Sequence, residues 1–499
     1  MQLSVKVFCL LMFVFSSLVL SAVEKANDEL PDHFPEEVTS VTEHSVRVGD
    51  ERIDYKAIAG TSFVFNEQHE KIGNIFYTAY VKENAKKSRP ITFAYNGGPG
   101  SASVWLHMGA LGPKRVVMDD EGFMPKPPYQ AVDNAYSILD LTDIVFIDPV
   151  GTGYSRAAGK GTNEDFHGTW EDIKTVSEFI RLYLTRNNRW SSPKYLAGES
   201  YGTLRSAGIA YHMGQNLGVN FNGILLISNV LNYTLDNFDH GVNIQAPITL
   251  LPTYTATAFY HKKLDGRFKS IDEAIQQAKD FAMGDYALAL LQGDNLSDQK
   301  KKSTAQKLAE LTGLPKELIL RNNLIVNMQT FVHQLRRSEG MTLGRLDSRF
   351  VTPELNAFEQ PGYRDPSYMA IHGPYTETLM TYLRKDLKFE TDLVYHILGG
   401  GVKSWNTKEF ADDSFDMSRK LRHAMLRNPD MKVFVANGYF DMATPFFSTE
   451  YNFSHMGLPE QLQDNVKMTY YESGHMMYIR KADLIKFKKD IKDFFKFSL

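Results

Sequence analysis

The sequence of 499 residues contains a single cysteine, Cys9, which lies inside an apolar N-terminal run. Once that run is removed, the chain has no thiol, which excludes cysteine proteases, thiol redox enzymes and zinc sites built on cysteine. An excess of one charge is also lacking, because 55 lysines and arginines stand against 59 aspartates and glutamates, without any long basic run. The composition therefore argues against a nucleic-acid-binding protein.

The N-terminal segment has the layout of a secretory signal peptide. Lys6 precedes an apolar run from Val7 to Leu20, and small residues follow at Ser21 and Ala22. The run is short for a bilayer span, although an uncleaved anchor is the alternative interpretation. We expect residues 1–22 to be removed and the mature protein to be periplasmic or secreted, with no stable membrane anchor.

The chain after the signal alternates between strand-like and helix-like segments. Short apolar runs at 91–95, 143–147, 193–197 and 223–228 predict buried strands, and helical periodicity covers 164–184 and 200–213. Continuous apolar strands that alternate with helices predict an α/β fold, with a mostly parallel sheet covered by helices on both faces.

This alternation breaks near Val230 and returns near Lys432. The segments in between are mostly amphipathic and helical, after which strands at 433–436 and 466–471 and a helix at 481–496 restore the first pattern. We therefore predict an α/β core formed by residues 23–230 and 431–499, with a mostly helical cap inserted at 231–430.

One serine occupies a position suited to nucleophilic attack. Gly198-Glu199-Ser200-Tyr201-Gly202 follows a predicted strand and precedes a predicted helix. Small residues on both sides allow a sharp turn, which exposes the serine hydroxyl at the carboxyl edge of the sheet beside a backbone N–H group.

A serine hydroxyl needs a base to take its proton, and the base needs a carboxylate to orient it. In folds of this type the three residues follow one another as Ser, Asp or Glu, and His. Asp441 lies just after the strand predicted at 433–436, and His475 lies just after the strand at 466–471. Both would project from carboxyl ends of strands, which predicts a Ser200–Asp441–His475 triad. The alternative is that His475 is a core or surface histidine of a binding protein.

A second glycine-rich stretch, Asn96-Gly97-Gly98-Pro99-Gly100, follows the strand predicted at 91–95. Backbone N–H groups of such a loop can bind a developing oxyanion, with a second donor from Tyr201. The alternative is an ordinary tight turn. Gly151-Thr152-Gly153 lacks the third glycine of a dinucleotide-binding fingerprint, and the sequence has no His-Glu-x-x-His or comparable metal motif, so we predict neither a cofactor nor a metal.

From about residue 91 to 477 the sequence resembles the serine carboxypeptidases, peptidase family S10 of the α/β-hydrolase superfamily. This resemblance implies an α/β-hydrolase fold, and removal of the last residue from peptides with a free C-terminus through an acyl-enzyme. The matching blocks, in chain order, are Asn96-Gly97-Gly98-Pro99-Gly100, Asp148-Pro149-Val150-Gly151-Thr152-Gly153-Tyr154-Ser155, Gly198-Glu199-Ser200-Tyr201-Gly202, Asn437-Gly438-Tyr439-Phe440-Asp441 and Gly474-His475-Met476.

The resemblance also implies a role for each matching residue. Ser200 would be the nucleophile, His475 the general base and later the general acid, and Asp441 the group that orients His475. The N–H groups of Gly98 and Tyr201 would form the oxyanion hole.

The implied site for the terminal carboxylate of the substrate consists of Asn96, Gly97 and Glu199. Glu199 must be protonated to donate to a carboxylate, because two anions in contact repel each other. The family commonly pairs this glutamate with a second one, but the matching residue here is Ala110. A cysteine that usually follows Gly-Gly-Pro-Gly is replaced by Ser101. Because Ala110 leaves Glu199 without a carboxyl partner, we expect a weaker acid preference or a different way of holding the carboxylate.

Two other functions are compatible with these motifs. An esterase or acyltransferase would use the same triad without recognising a terminal carboxylate. A binding protein on the same scaffold would be catalytically silent.

Overall fold

The computed structural model of the protein describes residues 36–86, 88–236, 243–354, 365–402, 404–406 and 416–499. The predicted signal peptide at 1–22, with Cys9, lies outside these residues. Within them, no helix combines the length and the apolar character that a membrane span requires.

Most of the described strands belong to one large sheet. The described strands are β1 Thr39–Val48, β2 Glu51–Phe65, β3 Lys71–Lys82, β4 Ile91–Tyr95, β5 Lys114–Val116, β6 Ala131–Asp133, β7 Asp143–Ile147, β8 Arg156–Ala157, β9 Lys194–Ser200, β10 Gly223–Asn229, β11 Met341–Leu343, β12 Val351–Pro353, β13 Lys432–Gly438 and β14 Val466–Tyr471. Nine strands of the large sheet follow one another in the order β1-β2-β3-β7-β4-β9-β10-β13-β14, and a tenth, β8, pairs with β3.

The sheet has an antiparallel and a parallel half. Strands β1, β2, β3 and β7 pair antiparallel, whereas β7, β4, β9, β10, β13 and β14 run parallel to one another. Tyr95 is in register with Gly198, and Gly438 with Tyr471. The parallel strands therefore end at one common edge, where the loops that follow β4, β9, β13 and β14 converge.

Helices of very different lengths accompany these strands. The α-helices are Val104–Leu106, Thr169–Arg186, Tyr201–Leu217, Gln245–Tyr260, Ile271–Phe281, Ala287–Gln292, Asp298–Thr312, Lys316–Arg321, Met328–Gln334, Pro366–Lys385, Ser418–Arg427, Phe446–His455, Glu460–Gln463 and Lys481–Ser498. Short turns of π type cover His107–Leu111 and Ala282–Tyr286, and turns of 3₁₀ type cover Asn163–Asp165, Tyr233–Asp236, Gly293–Asn295, Arg337–Glu339 and Met477–Ile479.

Both faces of the parallel half are buried because alternate side chains of each strand enter different apolar clusters. Ala94 and Phe146 lie in one cluster with helices Pro366–Lys385 and Lys481–Ser498. The opposite face packs against helices Thr169–Arg186, Tyr201–Leu217 and Ser418–Arg427. The predicted α/β architecture, with a mostly parallel sheet and helices on both faces, is confirmed.

A third apolar cluster consists mostly of residues that lie between β10 and β13 in the chain order. It contains side chains of the helices from Gln245–Tyr260 to Met328–Gln334, together with Phe440 and Phe446. Helices Pro366–Lys385 and Ser418–Arg427 also fall inside the predicted cap, yet they pack on the sheet. The boundaries of the cap at 231 and 430 stay a prediction.

One helix begins later than the sequence indicates. The periodicity predicts a helix from residue 164, but the described helix is Thr169–Arg186, and Asn163–Asp165 forms a separate turn. The Asp165 carboxylate accepts a 2.7 Å hydrogen bond from the backbone N–H of Thr162, which closes this turn on itself. The predicted start at residue 164 was therefore wrong by five residues, since the helix begins at residue 169.

Candidate active site

The chain makes a strained turn at Ser200. This residue ends β9 with φ of 60° and ψ of −131°, and helix Tyr201–Leu217 starts immediately after it. A Cβ atom added to Gly198 would collide with the carbonyl oxygen of Gly202, and one added to Gly97 would collide with the amide nitrogen of Tyr201. Only glycine allows the two loops to lie this close, so the turn holds Ser200 at the carboxyl edge of the sheet.

Asp441 and His475 meet at the same edge. Asp441 follows β13 and His475 follows β14, and Nδ1 of His475 lies 2.7 Å from Oδ2 of Asp441. Because Nδ1 contacts the carboxylate, Nε2 is the nitrogen left to act as a base. His475 and Ser200 line the same cavity.

The Asp441 carboxylate is fully buried and held by several donors. Oδ1 accepts hydrogen bonds from the N–H groups of Ala443 and Thr444 at 2.8 and 3.0 Å. The Thr444 hydroxyl donates to Oδ2 at 2.6 Å and lies 3.3 Å from Nδ1 of His475. These contacts fix the carboxylate in the orientation that it needs to hold the imidazole. The sequence reasoning did not identify Thr444.

The environment of His475 favours its protonated form. Burial lowers the pKa of His475, but the negative charges of Asp441 and Glu199 outweigh burial and raise this pKa above its ordinary value. The backbone on both sides is fixed, since the N–H of His475 donates to the carbonyl of Leu346 at 2.7 Å and its carbonyl accepts from the Ser228 hydroxyl at 2.5 Å.

Glu199 lies buried beside Ser200, and both of its oxygens accept hydrogen bonds. The Asn96 amide donates to Oε1 at 2.8 Å, and the Tyr478 hydroxyl donates to Oε2 at 2.6 Å. Burial raises the pKa of Glu199 to about 7, against the opposing effects of His475, Tyr478 and Asn96. A carboxyl group with this pKa is protonated in a large fraction of molecules near neutrality.

Tyr478 is the partner that the sequence reasoning missed. Ala110 is buried in the turn His107–Leu111, and the ring of Tyr478 packs against the neighbouring Gly109. A phenol therefore contacts Glu199 close to the position where the resemblance leads one to expect a carboxyl group. Tyr478 stands only three residues after His475, but the sequence does not reveal that the turn Met477–Ile479 directs its ring towards β9.

A buried ion pair supports the loop that carries Asn96. Nη1 of Arg205 donates to the carbonyl oxygen of Asn96 at 2.7 Å, and Nε donates to Asp172 at 2.7 Å. Asp172 also accepts a 3.0 Å hydrogen bond from the Tyr201 hydroxyl. This pair ties helix Thr169–Arg186 to the loop of Asn96 and to the helix that begins just after Ser200, and no pattern in the sequence indicates it.

A cavity of about 220 Å³ lies next to Ser200 and His475. Asn96, Gly97 and Gly98 lie on its wall together with Glu199 and Ser200. The roles of the Gly98 and Tyr201 N–H groups as an oxyanion hole stay a prediction. The other lining residues are Pro99, Ser101, Trp105, Tyr233, Arg345, Leu346, Tyr368, Ile371, Leu398, Ala443, Thr444, His475 and Met476.

A larger cavity of about 490 Å³ lies elsewhere, lined in part by Tyr260 and Phe440. None of the residues predicted for catalysis lines it, and its arginines are paired, Arg349 with Asp347 and Arg480 with Glu121. We therefore place the candidate site in the smaller cavity. Across the described segments, no cluster of three or more His, Cys, Asp or Glu residues suited to a metal ion is present.

Comparisons with known proteins agree with this geometry. The family model described as serine carboxypeptidase, Peptidase S10, matches residues 61–489. The pheromone-processing carboxypeptidase KEX1 of Yarrowia lipolytica is 26% identical over 229 residues, which cover 45% of this chain and 33% of that protein. Serine carboxypeptidase-like 16 of Arabidopsis thaliana is 29% identical over 187 residues, which cover 34% of this chain and 40% of that protein. The matches thus span a third and two fifths of these relatives' own lengths.

A solved structure gives the same fold over nearly the whole chain. The crystal structure of Kex1Δp, a prohormone-processing carboxypeptidase from Saccharomyces cerevisiae, aligns with a TM-score of 0.51 and 14% sequence identity, covering 93% of this chain and 92% of that one. At this identity the alignment bears on the fold alone. Since the family model covers most of the sequence, the resemblance of the motifs is confirmed: the chain belongs to the serine carboxypeptidase family.

Proposed function

We propose that the protein is a serine carboxypeptidase that removes the last residue of peptides with a free C-terminus. The observation that carries this proposal is the buried Glu199 beside Ser200, hydrogen-bonded to Asn96 and able to hold a proton near neutrality. A protonated carboxyl group at this place can donate to the terminal carboxylate of a substrate. An ester or amide at that end offers no such anion.

In the proposed reaction, Oγ of Ser200 attacks the carbonyl carbon of the last peptide bond while Nε2 of His475 takes the hydroxyl proton. The N–H groups of Gly98 and Tyr201 stabilise the negative oxygen of the tetrahedral intermediate. His475 then gives its proton to the leaving nitrogen, which releases the C-terminal residue and leaves an acyl-enzyme. Water repeats the sequence and frees the shortened peptide.

Asp441 acts on His475 rather than on the substrate. Its buried carboxylate holds the imidazole in the tautomer that carries the proton on Nδ1, and it stabilises the imidazolium formed during attack. The hydrogen bonds from Ala443 and Thr444 keep this carboxylate from rotating away.

The alternatives make less use of the site. An esterase or acyltransferase would need the triad, but it would not need Glu199 and Asn96 to bind a terminal carboxylate. A silent binding protein would have no need of the strained backbone at Ser200, because such strain persists where the surrounding structure maintains it for function.

One peptide prepared with a free and with an amidated C-terminus tests the proposal. We expect mass spectrometry to show loss of a single residue from the free peptide and slow or no loss from the amide. Ser200→Ala should abolish the product while keeping the thermal unfolding midpoint. Equal processing of both peptides would favour the esterase alternative, and internal cleavage would contradict an exopeptidase.

We also propose that residues 1–22 are a cleaved signal and that the mature enzyme acts in the periplasm or outside the cell. The pattern of Lys6, the apolar run and Ala22 supports this location. N-terminal sequencing of the protein recovered from a host cell should begin after residue 22. A full-length chain that stays in the membrane fraction would contradict the proposal.

A further inference from the structure

A permanently charged cationic side chain, Arg345, lies on the wall of the cavity beside Ser200. Among the described lining residues, Arg345 is the one lysine or arginine, and it is exposed. Most other lining groups are neutral, such as Trp105, Tyr368 and Ile371. The positive charge of Arg345 is close enough to His475 to lower the pKa of that residue, in opposition to the neighbouring carboxylates.

Among the described residues, the Arg345 guanidinium takes part in no contact that holds the fold together. Within the described part of the chain, the Arg345 side chain has no hydrogen bond and no ion pair. Arg349, four residues later in the same loop, is buried and binds Asp347 at 2.6 Å. The two arginines therefore differ in role. Arg349 stabilises the loop, whereas Arg345 extends from the loop and keeps its five N–H donors available for a ligand.

The backbone that carries Arg345 is fixed to the triad loops. Its carbonyl accepts a 3.1 Å hydrogen bond from the N–H of Met442, next to Asp441, and the carbonyl of Leu346 accepts from the N–H of His475 at 2.7 Å. Asp347 accepts from the N–H of Gly474 at 2.9 Å. A charged group on such a rigid support is positioned in advance for a substrate.

We propose that Arg345 selects peptides that carry an aspartate or glutamate side chain beside the bond to be cleaved. An unpaired guanidinium binds a carboxylate through two parallel N–H···O bonds, and an exposed one loses little hydration when it does so. Glu199 does not compete for it, because Asn96 and Tyr478 already occupy both oxygens of that carboxyl group. This inference rests on the proposed carboxypeptidase function and names its substrate class.

Four peptides with a blocked N-terminus and a free C-terminus test the assignment. Two of them differ in carrying glutamate or glutamine in the last position, and the other two differ in the same way in the position before it. We expect wild-type protein to prefer glutamate over glutamine in kcat/KM by about tenfold at one of the two positions, as for a hydrogen bond between charged groups. Arg345→Gln should reduce this ratio to near one, and Arg345→Glu should bring it below one because the two carboxylates repel each other. Arg52→Gln, an exposed arginine of β2, is the matched control and should leave the ratio unchanged.

The outcomes separate this inference from the function on which it rests. Cleavage of the glutamine peptides without a preference for glutamate at either position overturns the role of Arg345 and leaves the exopeptidase activity intact. An equal loss on all four peptides in Arg345→Gln also overturns it, since the arginine would then bind the terminal carboxylate common to all of them. Failure to shorten any of the peptides overturns both proposals.

Discussion

The hydroxyl of Tyr478 donates a 2.6 Å hydrogen bond to Oε2 of Glu199, so a phenol is the second partner of this carboxyl group. Burial raises the pKa of Tyr478 well above its ordinary value, and the hydroxyl therefore remains protonated, and able to donate, near neutral pH. No second carboxyl group from residue 110 shares the proton of Glu199. Its protonation is set by burial, which places the pKa of Glu199 at about 7.

Activity on peptides with a free C-terminus should therefore be greatest near neutral pH. As the pH rises above about 7, Glu199 ionises and repels the substrate carboxylate, and KM should rise. As the pH falls, His475 is protonated and kcat should decrease, starting at higher pH than for an ordinary histidine because the pKa of His475 is raised. Because Glu199 and His475 interact, the apparent pKa values of the acid and alkaline limbs belong to the pair and not to either residue alone. An optimum far on the acid side, near pH 5, would contradict this expectation.

A neutral amide in place of Glu199 should remove the alkaline limb. In Glu199→Gln the side chain remains a donor at every pH, so KM for a free peptide should stay flat between about pH 6 and 8, where that of the wild type rises. The measurement is KM against pH for both proteins. An ester substrate without a free terminal carboxylate is the control, because its hydrolysis depends on His475 and not on recognition by Glu199. A wild-type KM independent of pH would show that Glu199 does not contact the terminal carboxylate.

Removing the phenol should change both the proton affinity and the position of Glu199. The Tyr478 hydrogen bond lowers the pKa of Glu199, so Tyr478→Phe should raise it further and move the alkaline limb to higher pH. Loss of one anchor should also raise KM by about five- to tenfold, as expected for one hydrogen bond to a charged group. The pH profile distinguishes this role from a structural one, because a general loss of stability would lower activity without moving the limb.

The orientation of His475 should depend on the charge of Asp441. Asp441→Asn would favour the wrong imidazole tautomer, and kcat should fall on the order of 10³- to 10⁴-fold. Thr444→Val, which removes only the hydroxyl bond to Oδ2, should cost about tenfold. Thermal unfolding of both variants provides the control. Activity within a few fold of the wild type in Asp441→Asn would contradict the triad.

The ion pair beneath the site should matter for stability. Asp172→Asn leaves the buried Arg205 without its counter-ion and should lower the free energy of unfolding by about 3–5 kcal/mol. The double variant Asp172→Leu/Arg205→Met should recover much of this loss, because apolar side chains of similar volume replace the pair without an unpaired charge. In the double variant, catalytic activity should not recover together with stability, because the Asn96 carbonyl has lost the hydrogen bond from Arg205. Urea denaturation gives the free energies, and a Tm of Asp172→Asn equal to that of the wild type would be the contrary result.

The strands of the parallel half could be predicted because their burial appears directly in the sequence. The predictions at 91–95, 143–147 and 466–471 coincide with β4, β7 and β14. Strands β1 to β3 were not predicted from the sequence. In β1, Thr39–Val48, exposed and half-buried side chains alternate along most of the strand, and few of the side chains are strongly apolar. This pattern is expected at the edge of a sheet, and it predicts a strand only weakly.

Helix Gln245–Tyr260 was missed for the opposite reason. Its side chains are buried along most of its length and Pro252 lies inside it, so no amphipathic pattern marks it as a helix. The residues of the site divide in the same way. Ser200, Asp441 and His475 lie directly after strand signals, whereas Tyr478, Arg205 and Arg345 reach the site through contacts between segments far apart in the sequence, and no local pattern records such contacts.

The reactivity of Ser200 is the most direct measure of whether these side chains work together. A fluorophosphonate should label wild-type protein with one equivalent, and peptide mass mapping should locate the adduct on Ser200. His475→Ala should slow the labelling by several orders of magnitude while the protein remains folded. Labelling of another residue, or an equal rate in the His475→Ala variant, would contradict a nucleophile activated by His475.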